Sequence, residues 1–429
     1  MIVTVEKLSS VHSDLGLCGI RFNFVLEDDD CEKSLSKNIG GAEISLQSNF
    51  CNFYFPMDID IPHIDLCAFA ALKIISPYVG SSFSIDSGVS YSMAKSIRDE
   101  YPNINKIKTN ASLSPISKKT KNNVAISFSG GVDSIAASVM MGGDVTLVMT
   151  ARTFHQEIGE FEQWNNPRAQ VKTLRYMPCN YKKVLVYTDF PFLSVKNDYC
   201  TYPDSYSFTI PAVLLSEMLG FSHIITGDIH AAFTDSETIY TSNCEASDKK
   251  FFSGVGIDLD YPCNGLSELI TTSIAKANGL LEISSACEYG DFMLPCMGCI
   301  KCFRKSIYRW ALFNEPLSKE DLIKLNNSPA IKSYAENNGQ SGFNFMPSLK
   351  YCFSIINEEF YGSIEVIRQR AMSYHAPYGW VIKRDTSAYV GRSPLILSAI
   401  ERSRAYFSDM QEWDEEAYSK LSWEMNKSR

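Results

Sequence analysis

Residues 124–141 read VAISFSGGVDSIAASVMM, and this stretch decides the fold. Val124 to Phe128 is an apolar run of the kind that forms a buried strand. Ser129-Gly130-Gly131 ends it with a turn, and from Val132 the spacing becomes helical. A Gly pair lets the backbone turn sharply and aim its N–H groups at an anion, and the following helix adds the positive end of its dipole. Ser129 and Ser134 supply hydroxyl donors. Asp133 would repel a bare phosphate, so its presence calls for Mg²⁺ between the two. A plain strand–turn–helix would need none of these polar groups.

The stretch lacks the Lys-Ser/Thr pair of a Walker P-loop. It resembles instead the PP-loop of the ATP pyrophosphatase superfamily, whose signature is strand–SGGxDS–helix. The resemblance implies cleavage of ATP to AMP and pyrophosphate with adenylation of a substrate. Ser129, Gly130, Gly131, Val132, Asp133 and Ser134 would then hold the phosphates, with Ser129, Asp133 and Ser134 also acting in catalysis.

A second cluster lies downstream. Cys287, Cys296, Cys299 and Cys302 form C-x8-C-x2-C-x2-C. Two-residue spacers let thiolates converge on one ion, and four thiolates suit tetrahedral zinc. An iron–sulfur cluster uses the same ligands. Four protein ligands leave no open position, so the expected role is structural.

Both motifs together resemble the 7-cyano-7-deazaguanine synthase family of the queuosine pathway, over roughly residues 120–309. Leu147 to Thr150 matches the second strand, whose end lies by the adenine, so the resemblance implies Met149 and Arg152 at the nucleotide. His223 to Asp228 matches a later strand and Gly turn, which implies nucleotide contacts from Gly227 and Asp228. His230, Asp228 and Asp235 fall where the substrate should lie, with His230 a candidate base on an incoming amine. The departures are plain. The substrate-holding Ser-Gly-Tyr-Pro-Asp-Cys-Arg segment is replaced by Ile229 to Asp235, Glu268 stands in a stretch where the family carries a Lys, and Met297 occupies the usual knuckle Gly. Relatives with extra terminal regions occur beside protein partners in bacterial antiphage systems, and relatives often form dimers. The expectation is adenylation of a small carboxylate, of 7-deazaguanine type, followed by attack of ammonia or a protein amine to give an amide or nitrile. The alternatives are a PP-loop enzyme with another substrate (an amide ligase or a tRNA-modifying enzyme) and a non-enzymatic zinc-stabilised partner in a defence complex.

The fold class expected is α/β, a doubly wound parallel sheet with a zinc knuckle. Strand candidates are Val124–Phe128, Val145–Met149, Val184–Tyr187 and His223–Thr226. Such alternation places ligands at the strands' C-terminal ends. Residues 1–118 read as an α+β appendage, 119–309 as the ATP-binding unit and 310–429 as a mostly helical region, with Ser318 as a helix N-cap. Apolar content of 45 % and charged content of 21 % are ordinary for a globular protein. A net charge of −9 argues against broad nucleic-acid binding, leaving Lys301, Arg304, Lys305 and Arg309 as a local basic patch or a solvated helix face. No apolar run reaches the ~18 residues of a membrane span. Glu6 and Lys7 interrupt any leader-like stretch. Thirteen cysteines, odd in number and without a regular framework, read as cytoplasmic. Cys200 and Cys263 flank the expected pocket as candidate thiols.

Overall fold

The structure is a computed structural model that describes residues 1–12, 17–27, 29–30, 44–118, 123–152, 167–196, 199–200, 206–229, 248–284, 287, 289–336, 345–373, 382–384, 393–406 and 408–409. It is a mixed α/β protein built on one ten-stranded sheet.

The sheet's centre follows from the apolar runs. β7 (Asn123–Ser127), β8 (Val145–Arg152), β9 (Lys182–Thr188), β12 (Phe221–Ile225) and β13 (Asp258–Asp260) run parallel in the order β13-β12-β7-β8-β9. Strands buried on both faces need no polar alternation, and all of β12 is buried. Successive side chains enter two cores. Ala125, Val148 and Ile224 face one, with α5 (Ile210–Leu219); Ile126, Leu147 and Ile225 face the other, with α3 (Val132–Met141) and α6 (Glu268–Ala277). Helices therefore cover both faces. The chain leaves β7 first toward β8 and later returns to its other side at β12, opening a crevice above the strand ends between β7 and β12.

Residues 1–118 do not stop at the sheet's border. β4 (Phe50–Phe55) pairs antiparallel with β9, and beyond it lie β2 (Leu17–Val25), β1 (Ile2–His12), β5 (Ser82–Ile85) and β6 (Lys106–Ile107). β3 (Ile44–Leu46), just before β4, belongs to a minor sheet. α1 (Ile64–Ile75) is apolar nearly all round and lies buried in the core shared with α5.

The third core surrounds α7 (Ile300–Phe313), which starts at the cysteine cluster. α8 (Lys319–Asn327), α9 (Pro329–Glu336), α10 (Met346–Ile355) and α11 (Gly362–Ser373) pack against it through Leu325, Ile331, Leu349 and Ile364. Ser318 does cap α8, accepting from Asp321 N. α12 (Pro394–Ser403) returns to α3, where Arg402 donates to Met140 O and Met141 O, both at 2.9 Å. No helix among the described residues is long and apolar enough to cross a membrane.

Candidate functional site

The SGGxDS turn sits at the C-terminal end of β7, where α3 begins. Gly130 has φ of 78°, a left-handed backbone that glycine adopts without strain. Gly131 is the N-cap of α3, so the first helical amides are left without side-chain caps. Gly131 N donates to Ser129 Oγ (3.3 Å), Ser134 Oγ donates to Gly131 O (3.0 Å), and the two hydroxyl oxygens lie 3.2 Å apart. The turn is thus pre-set by its own hydroxyls.

Gly227, just past β12, packs flat against this turn. A Cβ there would stand 2.7 Å from Ser134 N and 2.9 Å from Asp133 O. Only glycine permits the approach. It brings Asp228 beside the loop, and a cavity of about 300 Å³ opens between them. Ser129, Asp133, Ser134, Gly227 and Asp228 line it, as does Thr150 at the end of β8. Gln170 and Phe208 also line it, with Ser127 and Phe128 from the end of β7; Gln170 and Phe208 carry no motif signal, and Gln170 Oε1 is buried with no hydrogen-bond partner.

Both carboxyls are perturbed. Burial, and then the charge of Glu268, push the Asp133 carboxyl up to about 7, against the hydrogen bond from Thr271 (Oγ1 to Oδ1, 2.6 Å) and the nearby Lys305 and Arg304. Burial pushes Asp228 up to about 6, against a hydrogen bond from Thr226. Perturbed acids gathered in one crevice make it the candidate functional site. Once ionised, Asp133 and Asp228 are the cavity residues that could hold a cation.

The other expected residues fall in different places. Met149 is fully buried in the core that α3 covers, and its neighbour Thr150 reaches the cavity instead. Arg152 ends β8, and its side chain is outside the described set; His230 and Asp235 lie outside the described residues. Cys263 is a core thiol. It is fully buried, burial pushes it well above the usual range, and its Sγ points at Asp133 O (3.6 Å).

The cysteine cluster converges. The four Sγ atoms of Cys287, Cys296, Cys299 and Cys302 lie within 4.8 Å of one another. Cys287–Cys302 and Cys296–Cys302 sulfur pairs are 3.4 and 3.8 Å apart. A tetrahedron of Zn–S bonds has sulfur–sulfur edges of about 3.8 Å. Backbone amides already point at the sulfurs: Cys296 N to Cys287 Sγ, Gly298 N to Cys296 Sγ and Cys302 N to Cys299 Sγ, at 3.1 to 3.4 Å. Met297 has φ of 51°, the left-handed conformation for which a knuckle glycine is usual, so the backbone turn survives the exchanged residue. These residues could hold a metal such as zinc.

Of the basic residues of α7, Lys301 is half-buried and the others do not form a free basic patch. Arg304 is buried against Glu268 (3.5 Å), and Lys305 Nζ is buried. Arg309 pairs with Glu282 (2.9 Å) and Glu315 (2.7 Å). The acids that pair with Arg304 and Arg309 come from other elements, invisible to a reading of one helix.

Fold and site define an α/β protein with a crevice at the point where its strand order reverses, and a four-cysteine centre nearby in sequence to its last helices. Residues 248–386 are similar to a family described as of unknown function (DUF6395). The matched stretch, less than half of the chain, carries β13, the cysteine centre and α7 to α11. A comparison with curated proteins finds no match.

Proposed function

We propose that this protein binds Mg·ATP in the β7–β12 crevice and uses it to adenylate a small carboxylic acid, which an amine then captures. The observation that carries this reading is one cavity lined by Ser129, Asp133, Ser134, Gly227 and Asp228, residues from both sides of the strand-order reversal. The SGGxDS turn and its resemblance to the PP-loop superfamily supply the class of reaction, within a doubly wound sheet.

The residues present fit the ligand. Uncapped amides at the start of α3 suit phosphate oxygens. Gly227 keeps a side chain out of the cradle, and Gln170 Oε1 offers an unused acceptor. Asp133 and Asp228 are the carboxylates that would hold Mg²⁺, which when bound offsets charge on the departing pyrophosphate. The loop's hydroxyls and amides grip the phosphates and fix the α-phosphorus in line with the acid's carboxylate oxygen. That oxygen attacks, pyrophosphate leaves, and the acyl group becomes open to an amine that carboxylate charge would otherwise repel. The acid is of 7-deazaguanine type on the family resemblance, and the amine is ammonia or a protein amine in a partner. The four-cysteine centre is closed and structural, and its need for reduced thiols fits a cytoplasmic location.

Incubation with ATP, Mg²⁺, 7-carboxy-7-deazaguanine and ammonia, followed by nucleotide analysis, tests the reading. AMP and pyrophosphate should form only with the acid present, and Asp133→Ala should abolish them. Failure to bind ATP at all would sink the proposal; AMP release with other acids would retain the adenylation and replace the substrate.

A further inference from the structure

The β7–β12 crevice has two unlike sides. On the α3 face of the sheet stands the SGGxDS turn with its uncapped amides. On the α5 face stand Thr150 and Phe208. Strand alternation puts Thr150 on the same face as Val148, whose side chain enters the core shared with α5. Phe208 belongs to a single 3₁₀ turn, Ser207–Thr209, that leads into α5. Ser127 Oγ donates to Phe208 O at 3.0 Å, and Ser127 pairs with Val148, two residues before Thr150. The ring and the hydroxyl therefore come together above the ends of β7 and β8.

Phe208 is fixed from several directions. Its neighbours Ser207 and Thr209 are fully buried, Ser207 Oγ donating to Lys73 O at 2.7 Å and Thr209 Oγ1 to Tyr206 O at 2.6 Å. Tyr206 has φ of 58°, a left-handed backbone that is costly for a residue other than glycine. Its ring meets both Phe208 and the buried Tyr261, at centroid distances of 5.8 and 5.5 Å. Of these three rings only Phe208 lines the cavity, and it is half-buried, so part of it is open to a ligand. Braced from behind, it cannot withdraw into the core. Thr150 is half-buried too, and so within reach. Among the described residues no Lys, Arg or His lines the cavity. Apart from Asp133 and Asp228, its polar side chains are neutral hydroxyls and the amide of Gln170, on α4 (Pro167–Tyr176).

We infer that Phe208 and Thr150 form the ring-binding side of the crevice: a planar purine-type ring, adenine or a 7-deazapurine, lies with its face on Phe208 and its polar edge toward the Thr150 hydroxyl. This assignment rests on the reading of the crevice as a site for ATP and a deazaguanine-type acid, and adds to it two residues outside the SGGxDS turn. Every purine-type ring has a π face that stacks on an aromatic side chain, and its edge carries donors and acceptors that a hydroxyl, itself both, can meet. A phosphate on this side would lack the cationic partner that such groups favour. The phosphates are left to the amides of α3 on the other face.

The test uses the full chain and three probes titrated by calorimetry with Mg²⁺: ATP, 7-carboxy-7-deazaguanine, and tripolyphosphate, which has the phosphates and no ring. Phe208→Leu should weaken ATP or the acid about tenfold and leave tripolyphosphate unchanged. Thr150→Val should weaken the same ligand, and Thr150→Ser should restore it. Loss of ATP identifies the ring as adenine; loss of the acid identifies it as the deazaguanine. If Phe208→Leu weakens neither, or weakens tripolyphosphate equally, the inference is wrong. A wild type that binds tripolyphosphate as tightly as ATP and does not bind the acid overturns the inference and leaves the phosphate turn standing. A wild type that binds the acid through Phe208 but neither ATP nor tripolyphosphate loses the adenylation reading and keeps the ring site; one that binds none of the three loses both. Should Phe208→Leu fail to fold, Phe208→Trp decides: ATP or the acid must quench its added fluorescence, and tripolyphosphate must not.

Discussion

Gly227 is held by space alone. Its Cβ-free face touches the backbone of Ser134 and Asp133, so any side chain must push the first turn of α3 off its position. Gly227→Ala should cost about 1–3 kcal/mol of stability and remove the thermal shift that the proposed Mg·ATP binding would give; an alanine variant as stable as wild type would refute the close packing. The acids beside it set a pH response. An acid whose pKa rises on folding holds its proton more tightly in the folded chain, so it favours folding at low pH and withdraws that support as pH rises. For Asp133 the window runs from near its ordinary value of about 4 up to about 7, and for Asp228 up to about 6. Without ligands, wild type should lose stability relative to Asp133→Asn between pH 4 and 7, measured by denaturant titration. Mg·ATP affinity should rise over the same upper range, because the cation needs the ionised carboxylates. At this scale the strand–turn–helix of Ser129 to Ser134 was legible in the sequence, because a contiguous stretch carries it. Thr150 and Gln170 were not, since what selects them is strand alternation and the facing of a distant helix. Met149, one residue from Thr150, shows how a period of two decides which side chain reaches the cavity.

α7 joins the four-cysteine cluster to the third core. Cys299 is its N-cap and Cys302 its third residue, while Phe303, Ile307 and Tyr308 anchor the third core. Metal on the four sulfurs would fix the end of this helix, and with it Arg304 against Glu268. Cys302→Ser should lose the metal, assayed by elemental analysis, and lower the Tm by several degrees as the third core loosens. A second helix contact is simpler. Arg402 of α12 caps the carbonyls of Met140 and Met141 at the C-terminal end of α3 with two charge-assisted bonds. Arg402→Ala should cost about 1.5–3 kcal/mol by the same denaturant measurement, while Arg404→Ala, whose partner is an exposed Glu401, should change little. Element existence was readable from apolar periodicity, and the parallel strands begin and end within a few residues of expectation. The basic residues of α7 were misread because a helix face looks solvated until the acids opposite it, far away in sequence, are placed.

The whole molecule is held by a sheet that ignores the boundary drawn at residue 118. β4 pairs with β9 through Phe53↔Thr188 and Tyr54↔Tyr187. Asn52 N donates to Asp189 Oδ1 at 2.7 Å, and Thr188 Oγ1 donates to Asn52 O at 2.6 Å, all of them buried. Phe53 stacks on Phe190, with ring centroids 6.0 Å apart. The first core mixes Phe22, Phe55, Leu66 and Phe69 from the N-terminal stretch with Val186, Val213 and Phe251 from later in the chain. Charge and composition do not change sharply at 118, and strand pairing between residues more than a hundred positions apart leaves no local trace in a single sequence. The consequence is mechanical. A fragment beginning at residue 119 would bare the β9 edge, the Phe190 ring and one face of α5, an unpaired apolar edge of the kind that aggregates. It should be insoluble or lack a cooperative thermal transition, whereas the full chain should melt the sheet in one step. A soluble fragment that melts cooperatively and shifts with Mg·ATP would show that the N-terminal strands are an appendage after all.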